Sequence, residues 1–435
     1  MKKRLISLIL CVCMLISSLV VMSSCEIEGD DRERSRKKEE TTIDLENKTE
    51  NEQKTRPVVE YRKNESFEEA QMYFALSLFK ESVYQREDDS SIMISPLSVM
   101  AALAMTANGA KGETLEDMER VLGGLDIAEL NAALSNYIDS LPSTDNSKLN
   151  LANSIWMRDS DSLSVKQSFL EKMLEHYSAQ LNREPFDNST VKLINKWVEE
   201  NTDGMIDKII DEIDASAMIY LINAVSFDAK WADPYQNFQV RDGKFTNACG
   251  VVKDVKMLHS TEGSYIECGD GVGFIKSYTD GYSFVALLPD EGVSIYDYIY
   301  SLEPETLKNA IENISYESVN TALPEFSFEY SVTMNDILIA LGMDSAFEGQ
   351  GADFTDMATC SEGNLAIGNV KHKTFIEVTQ SGTKAAAVTD VEMNCESAPV
   401  MPEKEIILDR PFVYMIIDEN ADLPIFIGAV TEIGE

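Results

Sequence analysis

The chain has 435 residues, 44% hydrophobic and 26% charged, an ordinary globular balance with material for one large domain or two. Its 37 Lys and Arg face 75 Asp and Glu, a formal charge of −38 that phosphate backbones and anionic lipid surfaces repel, so nucleic-acid binding is not expected. Only three histidines (His176, His259 and His372) are present, too few for a multi-histidine metal centre; no metal and no cofactor are expected.

The chain opens with Met1-Lys2-Lys3-Arg4 and a mostly apolar run over 5–22, the basic start and hydrophobic stretch of a secretory signal. The run ends at Met22-Ser23-Ser24-Cys25. Small residues directly before a cysteine resemble the lipobox of bacterial lipoproteins, which implies a signal over 1–24 and lipid attachment at Cys25. A lipoprotein cysteine carries more than one acyl chain, which is what a stable tether needs. Plain secretion with cleavage nearby, or an uncleaved membrane anchor, are the alternatives. Residues 26–65 hold 13 acids, 10 bases and only six Ile, Leu, Val or Tyr, too little apolar surface to fold. Residues 25–65 therefore read as a disordered charged spacer, reaching on the order of 35 Å. The domain proper is expected over 66–435.

Apolar side chains at three- and four-residue steps predict helices over 66–86 and 95–108. Asp187-Asn188-Ser189 predicts the cap of a helix carrying Val191, Ile194, Trp197 and Val198 on one face and stopping at Asp203-Gly204. Buried strands are predicted over 218–225, 283–288 and 412–417, and a half-covered strand over 374–379. Helices first and strands later predict an α+β domain with large sheets. Cys249, Cys268, Cys360 and Cys395 have no metal-ligand spacing, and no disulfide can be assigned among them.

Residues 382–402 differ from their surroundings: Ala, Thr and Ser dominate, no aromatic occurs, and Pro399 and Pro402 lie at the end. In steps of two, one face is Thr383, Ala385, Ala387, Thr389, Val391 and Met393, small and mostly apolar; the other is Lys384, Ala386, Val388, Asp390, Glu392 and Asn394. A long loop with a strand code suits either an exposed state or one paired into a sheet. An ordinary surface hairpin is the alternative on pattern alone.

A set of motifs in order along 66–435 resembles the serpin family. Ile94-Ser95-Pro96-Leu97-Ser98 and Asn108-Gly109-Ala110 resemble its second helix, and the run from Asn223 through Phe227 to Lys230-Trp231 resembles a central-sheet strand ending in a characteristic Trp. Leu323-Pro324-Glu325-Phe326, Leu341-Gly342-Met343 and Ala352-Asp353-Phe354 follow in family order. His372-Lys373-Thr374 leads into Gly382-Thr383-Lys384-Ala385-Ala386-Ala387. Arg410-Pro411-Phe412 and Pro424-Ile425-Phe426-Ile427-Gly428 resemble the C-terminal strands.

The resemblance implies helices packed around large central sheets with an exposed reactive loop at about 380–402, and a suicide-substrate inhibitor of serine-type endopeptidases rather than an enzyme. In the family a protease attacks a bait bond, and the freed loop inserts into the central sheet before the acyl-enzyme hydrolyses. The hinge would be Gly382, Thr383, Lys384, Ala385, Ala386 and Ala387; inserted in that register, small side chains face inward, whereas a one-residue slip would bury Asp390 and Glu392. Ser95, Ser98, Asn223 and His372 match the family's polar cluster beneath the opening strands, and Trp231 its residue where the loop first enters. Two departures stand out: Gln380 where a Glu usually starts the hinge, and Lys384 where an acidic residue is common.

With Gly382 fixed, family spacing places the cut bond at Glu396-Ser397; counting back from Pro411 places it near Val400. The first is preferred, because a small residue commonly follows the cut. Glu396 implies a glutamate-specific target, while Met393, Cys395 and Val400 leave elastase-like or papain-like proteases open. A monomer with an N-terminal lipid as its only membrane contact, outside a bacterial cell, is the expected setting. The rival is a non-inhibitory member acting as a binding or carrier protein. Catalysis has little support, since no G-x-S-x-G elbow is present and Gly269-Asp270-Gly271-Val272-Gly273 lacks what a phosphate loop needs.

Overall fold

The structure is a computed structural model that describes residues 63–384 and 404–434. Cys25 and the expected signal, most of the spacer, the distal hinge residues Ala385, Ala386 and Ala387, Cys395 and the Glu396-Ser397 bond lie outside the described residues. Among the described residues no helix is long and apolar enough to cross a membrane.

The first part of the chain runs α1 (Phe67–Tyr84), β1 (Ile92–Ile94), α2 (Pro96–Ala107), α3 (Gly112–Val121), α4 (Ile127–Ser140), β2 (Ser147–Arg158), β3 (Leu163–Val165) and α5 (Gln167–Tyr177). Next come β4 (Gln180–Glu184), α6 (Asn188–Asn201), β5 (Ile219–Lys230), β6 (Val240–Thr246), β7 (Val252–Glu262), β8 (Tyr265–Glu267), β9 (Gly271–Ser277) and β10 (Tyr282–Pro289). Then follow α7 (Ile295–Ser301), α8 (Pro304–Glu312), β11 (Val319–Pro324), β12 (Phe326–Thr333), α9 (Asn335–Ala340), α10 (Asp344–Phe347) and β13 (Ala358–Cys360). Last are β14 (Lys371–Thr379), β15 (Gly382–Thr383), β16 (Lys404–Ile407), β17 (Phe412–Asp418) and β18 (Leu423–Val430).

Three larger sheets result: a six-stranded central sheet in the order β12-β14-β15-β5-β2-β4, a second of six strands in the order β1-β18-β17-β10-β9-β8, and a four-stranded one in the order β16-β11-β7-β6. This is the expected mixed α+β architecture with large central sheets. Helix α2 packs between β5 and β18 and is buried almost all round, as a helix apolar on every face must be. Pro96 stands in its first turn, and the Ser95 side chain caps it. Asp187 caps α6 through the Ser189 amide. Strands β10, β17 and β18 are buried at every residue, whereas β14 alternates buried and half-buried.

Two differences from the sequence reading have clear causes. Strand β5 runs on to Lys230, past the end at 225 given by the apolar pattern and in line with the family resemblance, because it pairs with β2 from Ile219↔Met157 to Ala229↔Ser147. Strand β2 is absent from the sequence reading: its first eight residues, Ser-Lys-Leu-Asn-Leu-Ala-Asn-Ser, are largely polar, its apolar run is only Ile155-Trp156-Met157, and pairing to β5 and β4 makes it a strand. Cys249, Cys268 and Cys360 are free thiols.

Phe227 of β5 joins two sheets: its ring meets Tyr278 and Tyr282 edge-on at 5.2 Å and Phe426 at 6.3 Å. Replacing Phe227 with Ala should cost about 3–5 kcal/mol, seen as a lower urea midpoint without loss of the folded far-ultraviolet spectrum.

Candidate functional site

Strand β14 turns at Gln380-Ser381 into β15, only two residues long, which lies between β14 and β5. Val378 and Ala229 flank Thr383; Thr379 and Lys230 flank Gly382. Gly382 has no alternative there, because a Cβ would lie 2.1 Å from the Ala229 carbonyl oxygen and 2.8 Å from the Lys230 Cα. Thr383 is 2% exposed, and its hydroxyl shares a hydrogen bond with the Tyr278 hydroxyl. Lys384 is half-buried, donates its backbone N–H to the Glu377 carbonyl at 2.7 Å, and has φ of 51°. Among the described residues no ladder joins β14 to β5 directly; the central sheet is continuous through β15.

Trp231, directly after β5, holds this turn. Its backbone N–H donates to the Ser381 carbonyl at 3.1 Å, and its indole Nε1–H to the Thr379 carbonyl at 2.9 Å. The indole stacks on Tyr278 with centroids 4.3 Å apart. Tyr235 donates its N–H to the Gln380 carbonyl at 3.0 Å, and the Gln380 N–H donates to Glu325 Oε1 at 3.2 Å. Beneath lies a buried ion pair, Lys276 to Glu262 at 2.9 Å, with the ammonium 4.4 Å from the Tyr235 ring centroid. Sequence reasoning missed Tyr235, Glu262, Lys276, Tyr278 and Glu325, which come from separate segments. A lone Lys ending the apolar run Val272-Gly273-Phe274-Ile275 was the one available signal.

Lower in the sheet, the polar cluster is two separate attachments to the start of α2. His372 of β14 accepts the Ser95 backbone N–H at Nε2, 3.1 Å away, and Thr374 donates its hydroxyl to the Met93 carbonyl at 2.8 Å. Asn223 of β5 accepts the Ser98 hydroxyl and donates to Asn153 Oδ1 at 2.7 Å; Asn153 donates to the Tyr177 carbonyl at 3.0 Å. The two strands flanking β15 are thus each fixed to α2, and no hydrogen bond links His372 with Asn223 among the described residues. His372 faces a backbone amide and no nucleophile, an arrangement suited to holding strands and not to catalysis. No group of His, Cys, Asp and Glu among the described residues could hold a metal ion.

Residues 69–433 match the family model described as Serpin (serine protease inhibitor). A serpin-like protein of Thermococcus kodakarensis is 31% identical over 366 residues, covering 82% of this chain and 83% of its own. Human alpha-1-antichymotrypsin is 29% identical over 378 residues, covering 83% and 87%. Among solved structures, the thermophilic serpin tengpin in its native state superposes with a TM-score of 0.80 at 42% identity, covering 87% of this chain and 97% of that one. Its latent state gives 0.75 at 40% identity, covering 86% and 100%.

Complete burial lowers the His372 pKa from 6.5 to about 4, because the imidazolium would lose its hydration. A neutral ring also keeps Nε2 free to accept the Ser95 amide. The unfolded chain protonates this residue first as pH falls, so its contribution is intact above about pH 6.5 and is lost progressively toward pH 4. The loss amounts to about 3 kcal/mol, and His372→Gln should flatten the pH dependence of the unfolding free energy by that amount over this window.

Proposed function

The chain belongs to the serpin family, and on that premise we propose that it is a suicide-substrate inhibitor of serine-type proteases, lipid-anchored outside a bacterial cell. Many members of this family are inhibitors of serine proteases, and its members are not enzymes. The observation that carries the inhibitory reading is the seating of Gly382 and Thr383 between β14 and β5, with Thr383 inward and small. Alanines occupy the next two alternate positions, 385 and 387, so the strand can lengthen without burying charge.

The target's nucleophile attacks the Glu396 carbonyl, the Ser397 amine leaves, and Glu396 becomes the acyl group. The severed loop then extends β15 down the sheet. Each residue added forms backbone hydrogen bonds on two sides, and the attachments of His372 and Asn223 to α2 keep the flanking strands apart and in place. Insertion outruns deacylation and carries the protease with it. Glu396 at the cut favours a glutamate-specific enzyme with a basic or hydroxyl-lined pocket; elastase-like and papain-like enzymes are further candidates. The charged spacer between Cys25 and the domain lets a monomer reach such a target while tethered.

Mixing the protein with a panel of glutamate-specific, elastase-like, trypsin-like and papain-like proteases should give a detergent-stable complex with one of them and a cut after Glu396. Clean cleavage without a complex across the panel would sink the inhibitory reading in favour of a binding or carrier protein. Thr383→Arg places a guanidinium against Tyr278 and should convert inhibitor into substrate, with complex falling by at least about tenfold. Cys25→Ser should move the protein from the membrane fraction to the soluble one; unchanged partitioning would rule out the lipid anchor.

A further inference from the structure

The outer face of the central sheet carries a row of alternating charge at one level. Lys148 of β2 lies in register with Asp228 of β5. Thr383 pairs with Ala229 and Val378, so the next residue, Lys384, falls beside Asp228 on one side and Glu377 on the other. On the adjacent rung Ala229, Val378 and Thr383 are buried, which puts Lys148, Asp228 and Glu377 on the opposite face; Lys384 leaves the strand with φ of 51°, and its ammonium lies near enough to Asp228, Asp203 and Glu377 for each to act on it. Read across four strands, the order is plus, minus, plus, minus. Asp203, just beyond α6, covers the row, pairing with Lys148 and accepting from Asn150 Nδ2 at 2.7 Å.

We infer that Lys384 is a positioning residue: it seats the hinge in register between β5 and β14 by filling the cationic place in this row. Opposite charges directly across a strand pair attract, and like charges repel. An acidic side chain, which the family commonly carries at this position, would here stand among the carboxylates of Asp228, Glu377 and Asp203. Burial pulls the Lys384 ammonium below its ordinary pKa, and Asp228, Asp203 and Glu377 together oppose that pull. Asp228 is pushed up by its own burial and drawn back by Lys384, Lys148 and Lys230. A one-residue slip would put Thr383 or Ala385 on this rung and leave Asp228 and Glu377 without their shared partner. The consequence for inhibition rests on the reading of 380–402 as an inserting loop; the seating itself does not.

Hydrogen exchange of the full-length protein, followed in peptides covering 377–384, tests this without any protease. Lys384→Glu should speed exchange by about tenfold, and Lys384→Met, which keeps the stem, by less. Reversing the neighbours as well, with Asp228→Lys and Glu377→Lys, should restore exchange to within about twofold. In 1 M salt the difference between parent and Lys384→Glu should shrink, because the Debye length falls to about 3 Å. Should Lys384→Glu not fold, Lys384→Met carries the comparison. Exchange unchanged in both variants overturns the inference, as does acceleration that neither charge reversal nor salt corrects, since shape and not charge would then be responsible. With a reactive protease, Lys384→Glu should also raise the fraction cleaved as substrate. A parent that never forms a complex would remove the inhibitory reading and leave the exchange result standing; a trapping parent with unaltered exchange in Lys384→Glu would remove the seating role alone.

Discussion

The Cα of Gly382 lies against the Ala229 carbonyl, so close that a Cβ would sit 2.1 Å from the oxygen, and the hinge keeps its register on that approach. Only a glycine lets the chain leave β14, turn in two residues and come back between β14 and β5. Once residue 382 is fixed, alternation does the rest. Thr383 must face the Tyr278 hydroxyl. Trp231 and Tyr235 secure the turn from beneath by donating to the carbonyls of 379, 380 and 381, so the backbone there is bonded before any loop residue follows.

The sheet around this point is organised differently from an ordinary antiparallel one. Its two halves are joined through a two-residue strand, yet each half is separately bonded at the start of α2, by His372 to the Ser95 amide on one side and by Asn223 to the Ser98 hydroxyl on the other, with Thr374 bonded to Met93 of β1 just before the helix. α2 can serve as that fixed reference because it is buried on nearly every face and rests on β18. Neutral His372 and the hydroxyls of Ser98 and Thr374 make bonds that can be exchanged at modest free-energy cost, unlike apolar contacts that would leave a cavity.

Much of the fold was legible because its core elements have unambiguous periods. The 283–288 and 412–417 runs are too short and too apolar to be anything but buried strands, and Ser95-Pro96 announces a helix start. β2 was not legible, since its alternation is confined to Lys148-Leu149-Asn150-Leu151 before polar and small residues interrupt it, and its full length depends on β5 beside it. For the site, the period-two pattern from 383 identifies which residues share a face, and the family resemblance suggests which strands they meet. Neither tells what stands opposite. The Tyr278 hydroxyl, the Lys276–Glu262 pair and the row of charge from Lys148 to Glu377 are products of strand register between segments far apart in sequence. Register is a tertiary property, and no window of one chain contains it.

Strand β1 pairs with β18, Ile92 with Ala429 and Ile94 with Ile427. The earliest strand thus waits for the last one, and α2, which packs against β18, has no completed platform until that strand is in place. Closure of this sheet is slow, because bringing together residues so far apart in sequence must precede the contacts that reward it. Slow closure of this kind leaves an interval before the sheet is complete, and the export proposed above would fall within it.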